Sequence, residues 1–155
     1  MKELNLPEYS FRIVEHEGTM MILDTQRRKF VKLTPEEWVR QNFVQYLIRE
    51  GSYPPGLIGI EIPLLYNKMK KRVDILVHNR NGQPVMIVEC KSYDVPLDDP
   101  VFEQIAVYNM KFNVPCLVVT NGLRHYACKM KGEGEKPEYL LSIPIYEELL
   151  NMVQW

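Results

Sequence analysis

The sequence predicts an α/β (α+β) chain, a mixed central sheet with helices on its faces and a β-hairpin at the N-terminal side. Three observations predict it. A helix with marked ends follows a hairpin-like stretch, two apolar strands flank an Asn-Gly turn, and a second helix leads into a further apolar strand. Strands interleaved with helices in this order call for a sheet covered on both faces.

Residues 11 to 33 alternate apolar and polar side chains around Glu17-Gly18, the pattern of a small antiparallel hairpin. Thr34 is then an N-cap, Pro35 suits the first helical position, and Glu37 stands three residues after the cap. Val39, Phe43, Tyr46 and Leu47 follow at helical spacing up to Gly51, which predicts a helix over Pro35 to Glu50. Tyr53-Pro54-Pro55-Gly56 reads as a loop, Leu57 to Leu65 as a strand, and Lys68 to Arg72 as a basic turn.

Strands over Val73 to His78 and Val85 to Glu89 are joined through Asn81-Gly82, residues that tolerate the positive φ of a type I′ turn. Ser92 to Asp99 is a loop, and Asp99 with Pro100 opens a second helix that runs to about Phe112. Pro115 to Thr120 and Leu123 to Met130 form a strand pair about Asn121-Gly122. Lys131 to Pro137 is a polar turn, and Ile145 to Trp155 a terminal helix or docked tail. Residues 1–33 are thus expected as a hairpin extension packed on a core of 34–155, one structural domain overall.

Composition narrows the function. The 155 residues are 46% hydrophobic and 25% charged, enough for a core without disulfide or metal staples. A formal charge of −1 gives no global basic field, so nucleic-acid contact would have to come from local clusters. Met1 to Ser10 lacks the pattern of a secretory signal, and no apolar run approaches the roughly 18 residues of a membrane span. Cys90, Cys116 and Cys128 are odd in number and lack a CxxC spacing, which points to a reduced, cytoplasmic protein with no membrane association.

The chemistry concentrates on the hairpin. With a two-residue turn at Asn81-Gly82, cross-strand partners have numbers summing to 163, so Asp74 faces Glu89 and Pro84 faces Asn79. Directly opposed residues have Cβ atoms only about 5 Å apart. Lys91 lies two residues past Glu89 and leaves the same face. Two carboxylates side by side repel, and a divalent cation with a preference for hard oxygen ligands, Mg²⁺ or Mn²⁺, resolves the conflict. A nearby lysine suits phosphodiester hydrolysis, where positioning and charge neutralisation do most of the work. A structural ion-pair ladder would use the same residues; the register, the apolar flanks and the helix on either side favour the functional reading.

At these residues the chain resembles the PD-(D/E)xK nuclease superfamily, and within it the N-terminal nuclease domain of type I restriction enzyme R subunits and its stand-alone relatives. The matching segments are Pro35-Glu36-Glu37-Trp38-Val39-Arg40-Gln41, Lys71-Arg72-Val73-Asp74-Ile75-Leu76-Val77, Ile87-Val88-Glu89-Cys90-Lys91, Gln104-Ile105-Ala106-Val107-Tyr108 and Val119-Thr120-Asn121-Gly122. The resemblance implies a restriction-endonuclease-like fold and a Mg²⁺- or Mn²⁺-dependent endonuclease acting on DNA. Asp74, Glu89 and the Cys90 carbonyl would be metal ligands and Lys91 the catalytic lysine. Gln104 and Tyr108, four apart on one helix face, would support the active site or contact DNA. Glu37 is the candidate for a helix-borne acidic ligand, with a capping-box role as its rival and Glu36 as the alternative. Partner proteins of a restriction or defence system would belong to such a protein, and double-strand cleavage would favour a homodimer.

No G-x-x-x-x-G-K-[ST] motif occurs in the chain, so it carries no translocating motor of that type. Lys68, Lys70, Lys71 and Arg72 form one basic cluster and Arg27-Arg28-Lys29 another; both are candidates to hold phosphates. His16, His78 and His125 have no metal-ligand spacing, and Cys90 has no neighbouring histidine that would activate a thiol. The competing function is a non-catalytic nucleic-acid-binding or assembly module that keeps the fold.

Overall fold

A computed structural model of the chain describes residues 1–131 and 135–152. The N-terminal part is a three-stranded antiparallel sheet, β1 (Ile13–His16), β2 (Thr19–Asp24) and β3 (Lys29–Lys32), one strand more than the expected hairpin. The extra strand depends on Arg28, whose φ of 56° turns the chain back between β2 and β3. Helix α1 (Pro35–Arg49) starts where the sequence places it. The Thr34 hydroxyl accepts from the Glu37 amide at 3.1 Å, satisfying one of the donors a helix start leaves open.

The second sheet has six strands in the order β4 (Ile58–Tyr66), β5 (Met69–His78), β6 (Pro84–Cys90), β7 (Cys116–Thr120), β8 (His125–Lys129) and β9 (Glu138–Tyr139). Only the β6–β7 pair is parallel; helix α2 (Asp99–Met110) makes the crossover between them. The expected mixed sheet flanked by helices is therefore the fold observed. Asp98, rather than Asp99, caps α2 by accepting from the Val101 amide. The short helix α3 (Tyr146–Met152) occupies the expected terminal position. Gly132 to Gly134 of the expected polar turn and Val153 to Trp155 of the expected terminal helix lie outside the described residues.

One apolar layer lies between the sheet and α1 and α3, where Val39, Phe43, Leu47, Ile75, Val77, Val88, Val118 and Leu149 are buried. The other lies under α2, with Leu76, Ile87, Phe102, Ala106, Leu117 and Val119. Central strands buried on both faces account for their near-continuous apolar sequence.

The basic stretch expected as a turn is strand. Met69 to Arg72 extends β5 and pairs with Pro63 to Tyr66, and the reversal falls at Asn67-Lys68, both with positive φ. The β5–β6 turn also differs from the two-residue form. The Asn79 amide bonds to the Gln83 carbonyl and Gly82 takes a φ of 79°, so three residues form the loop. His78 pairs with Pro84, and Pro84 does not face Asn79; a bulge at Val85 then restores the expected register at Val77↔Met86, Leu76↔Ile87 and Ile75↔Val88. Val85 and Met86, consecutive residues, consequently both enter the α1-side core.

Candidate active site

β5 and β6 pair as far as Ile75↔Val88, and there the regular exchange between them ends. Beyond it the Cys90 amide donates to Asp74 Oδ2 at 2.8 Å. A side chain has taken the place of a strand partner, and the Asp74 carboxylate is fixed against the end of β6.

The same point is a bend. In β4, Glu61 sits at φ 52° between the pairs Ile60↔Ile75 and Ile62↔Val73. A left-handed conformation is costly for a residue with a Cβ and persists where the surroundings enforce it. Side-chain alternation slips here: Ile58, Ile60, Ile75 and Val77 pack on the α1 side, whereas Ile62, Leu64 and Val73 pack on the α2 side. The distal half of the hairpin is thereby turned toward α2.

On one side of Asp74 stands a cluster of arginines. Arg40 Nη2 donates to Asp74 Oδ1 at 2.9 Å and to Glu36 at 3.2 Å, and Nη1 donates to Glu37 at 2.5 Å. Arg27 binds both Glu37 oxygens, at 2.9 and 3.0 Å, Glu61 at 3.0 Å, and Asp24 through Nε. Gln41 adds a bond to Glu37 at 2.8 Å. Burial would raise the Asp24 carboxyl, but hydrogen bonds from Arg27 outweigh it and hold it below the ordinary value. Burial works against the Arg40 charge too, and its contacts with Asp74 and Glu37 more than compensate.

On the other side stand lysines. Glu89 is only 7% exposed. Lys71 Nζ forms an ion pair with it, 2.6 Å from its Oε1. Burial raises the Glu89 carboxyl above its ordinary range, Lys71 and Lys91 pull it down, and the neighbouring Asp74 charge pushes it up. Lys91 is half-buried, held by its amide bond to the Thr120 carbonyl at 2.8 Å.

Asp74, Glu89 and Lys91 are thus brought within electrostatic reach of one another. Glu37 is turned away, its carboxylate taken up by Arg27, Arg40 and Gln41, and its side chain makes no return bond to the Thr34 amide. Its neighbour Glu36 is the helix-borne acid in the field of Asp74 and Lys91; burial, then Asp74, raises its carboxyl. Reading the sequence missed Arg40 and the inward turn of Lys71. A signal for Arg40 was present: it shares the helical stripe of Phe43, Val44 and Leu47, where a charge needs a partner.

The site also has a charge imbalance. Asp24, Glu36, Glu37, Glu61, Asp74 and Glu89 face Arg27, Arg40, Lys71 and Lys91, a formal excess of two negative charges with every acid ionised. Among the described residues no three His, Cys, Asp or Glu side chains form a ready ion cage. Hard oxygen donors with this formal excess of negative charge nevertheless fit a divalent cation held by few protein ligands.

Residues 35–144 match the family described as the type I restriction enzyme R protein N terminus. The chain belongs to that family. Within this R-protein N-terminus relative, the other residues singled out from sequence are placed as follows. Gln104 and Tyr108 lie exposed on one face of α2; Tyr108 reaches the site through Lys71, whose ammonium lies 5.0 Å from the ring centroid. Arg27 of the second basic cluster is consumed by carboxylates, while Arg28, Lys68, Lys70 and Arg72 are exposed. The Cys90 thiol is fully buried and pushed well above its ordinary value by burial and by Asp74, which disfavours thiolate chemistry. All three cysteines are free. Among the described residues no helix is long and apolar enough to cross a membrane.

A solved structure from Anabaena variabilis ATCC 29413, described as a "putative nuclease belonging to DUF820", is similar at 13% identity and a TM-score of 0.47, over 95% of this chain and 94% of that one. No curated protein matches the chain.

Proposed function

We propose that the protein is a Mg²⁺- or Mn²⁺-dependent endonuclease that hydrolyses DNA phosphodiester bonds, acting in the cytoplasm within a restriction or defence system. One observation carries the reading. At the end of the β5–β6 pairing, Asp74 and the buried Glu89 stand together in a cluster with a formal surplus of two negative charges, with Lys91 beside them.

Asp74, Glu89 and the Cys90 carbonyl would hold the cation, with Glu36 rather than Glu37 as the acid contributed by α1. A cation bound there would supply Lewis-acid stabilisation of charge developing on the phosphate and a more acidic water. Arg40 and the Cys90 amide fix the Asp74 carboxylate, so its oxygens need no reorganisation during reaction. Lys91, fixed at its backbone by Thr120, presents its ammonium to the phosphate or to the water that attacks it. Gln104 and Tyr108 supply the outer edge of the site, and exposed Lys68, Lys70 and Arg72 offer contacts to the DNA backbone.

Supercoiled and single-stranded DNA incubated with the protein in Mg²⁺, Mn²⁺ or EDTA tests this, beside Lys91→Ala. Metal-dependent cutting by the wild type that is lost in the variant is the expected result. Cutting of equal rate by both proteins sinks the role of Lys91. Mn²⁺ binding and DNA binding without cutting by either would favour a non-catalytic nucleic-acid-binding module.

A further inference from the structure

We propose that Lys71 is a resident cation of the site, holding Glu89 before a divalent cation arrives and competing with that cation for it. This rests on the metal site proposed above. In a regular strand Lys71, three residues from Asp74, would leave the opposite face of the sheet. The slip in alternation at Glu61 and Asp74 puts Val73 on the α2 side, and Lys71, two residues earlier, follows it to Glu89.

Its surroundings are those of a lodged charge. The neighbours Lys68, Lys70 and Arg72 are exposed, whereas the Lys71 side chain keeps 15% of its accessibility, with its ammonium 2.6 Å from Glu89 Oε1. Tyr108 offers its ring face to the same ammonium, 5.0 Å from the centroid.

Displacement is built into the choice of residue. Asp74 is held by an arginine, whose planar fork is fixed by Glu36 and Glu37 as well. Glu89 is held by a lysine, a point charge on a flexible stem. An arriving cation would take Glu89 Oε1 and release the ammonium along the exposed Tyr108 ring. Tyr108 then acts as the rest for Lys71 in its second position, which gives the Gln104–Tyr108 face a physical role.

Calorimetric titration with Mn²⁺, without DNA, tests the proposal on the wild type, Lys71→Met, Lys71→Arg and Glu89→Gln, each checked for native circular dichroism. Lys71→Met is expected to bind Mn²⁺ about tenfold more tightly than the wild type, the size of a lost charge-assisted competitor. Lys71→Arg should return to the wild-type affinity or weaker, and Glu89→Gln should abolish binding. Detectable binding by Lys71→Met alone would also support the proposal. Equal or weaker binding by Lys71→Met overturns it while leaving the metal site intact. No binding by the wild type and Lys71→Met, or binding that survives Glu89→Gln, overturns the site together with the proposal. Lys71→Gln carries the same expectation and replaces the methionine variant should that fail to fold.

Discussion

The two sides of Asp74 solve the problem of buried charge differently. On the α1 side, two arginines hold five carboxylates in a lattice of directed hydrogen bonds, closed against the N-terminal sheet through Asp24 and Arg27. On the α2 side, one lysine pairs with one buried carboxylate. The first arrangement fixes its geometry through several directed bonds; the second relies on a single contact from a flexible side chain. Two basic residue types thus hold buried charge in two ways, and Asp74 belongs to both sides.

The sharpest way to break this comparison is Arg40→Met. Removing it takes the shared partner from the buried Glu37 and the partly buried Asp74, and breaking such an array costs about 3–5 kcal/mol. Urea unfolding at neutral pH measures it. A loss below about 1 kcal/mol would mean that the arginine side is no more structural than an exposed ion pair.

A smaller effect separates the lysine side by pH. The folded-state value of Glu89 lies above its ordinary 4.5, so the folded protein holds the Glu89 proton more tightly than the unfolded chain does. Its contribution to stability is complete below pH 4.5 and is lost as pH rises through the folded value. Glu89→Gln, which does not titrate, should therefore gain stability relative to the wild type across that window in EDTA, then level off. A difference that stays flat with pH would show that burial does not penalise this carboxylate. The smallest expected effect lies at the exposed basic strand: Lys70→Ala should lower the salt dependence of DNA binding by roughly 0.9 in the log–log slope, as for one phosphate contact.

Much of the frame could be read from the residues. Thr34 and Pro35 announce α1 because a helix start needs an acceptor and tolerates a proline, and those needs are local. The apolar run of β6 announces a covered strand for the same kind of reason. The register that brings Asp74 toward Glu89 was legible as well, although the turn behind it is of another type. What was hidden depends on a left-handed residue that is not glycine. Nothing in the identity of Glu61 signals φ 52°, and without that bend neither the inward course of Lys71 nor the curl of β4 and β5 follows. Glu37 misled for a similar reason: its place in a capping pattern is local, whereas its partners Arg27 and Arg40 come from the tertiary fold.

The bulge at Val85 has a consequence for the history of such proteins. A two-residue turn without a bulge and a three-residue turn with one deliver the same alignment at Val77↔Met86 and onward. The turn can therefore change type at constant length without moving Asp74 and Glu89. Relatives are free to exchange one turn type for the other between His78 and Met86, provided the bulge comes and goes with the three-residue form, whereas a single insertion between Met86 and Glu89 would set the two acids on opposite faces.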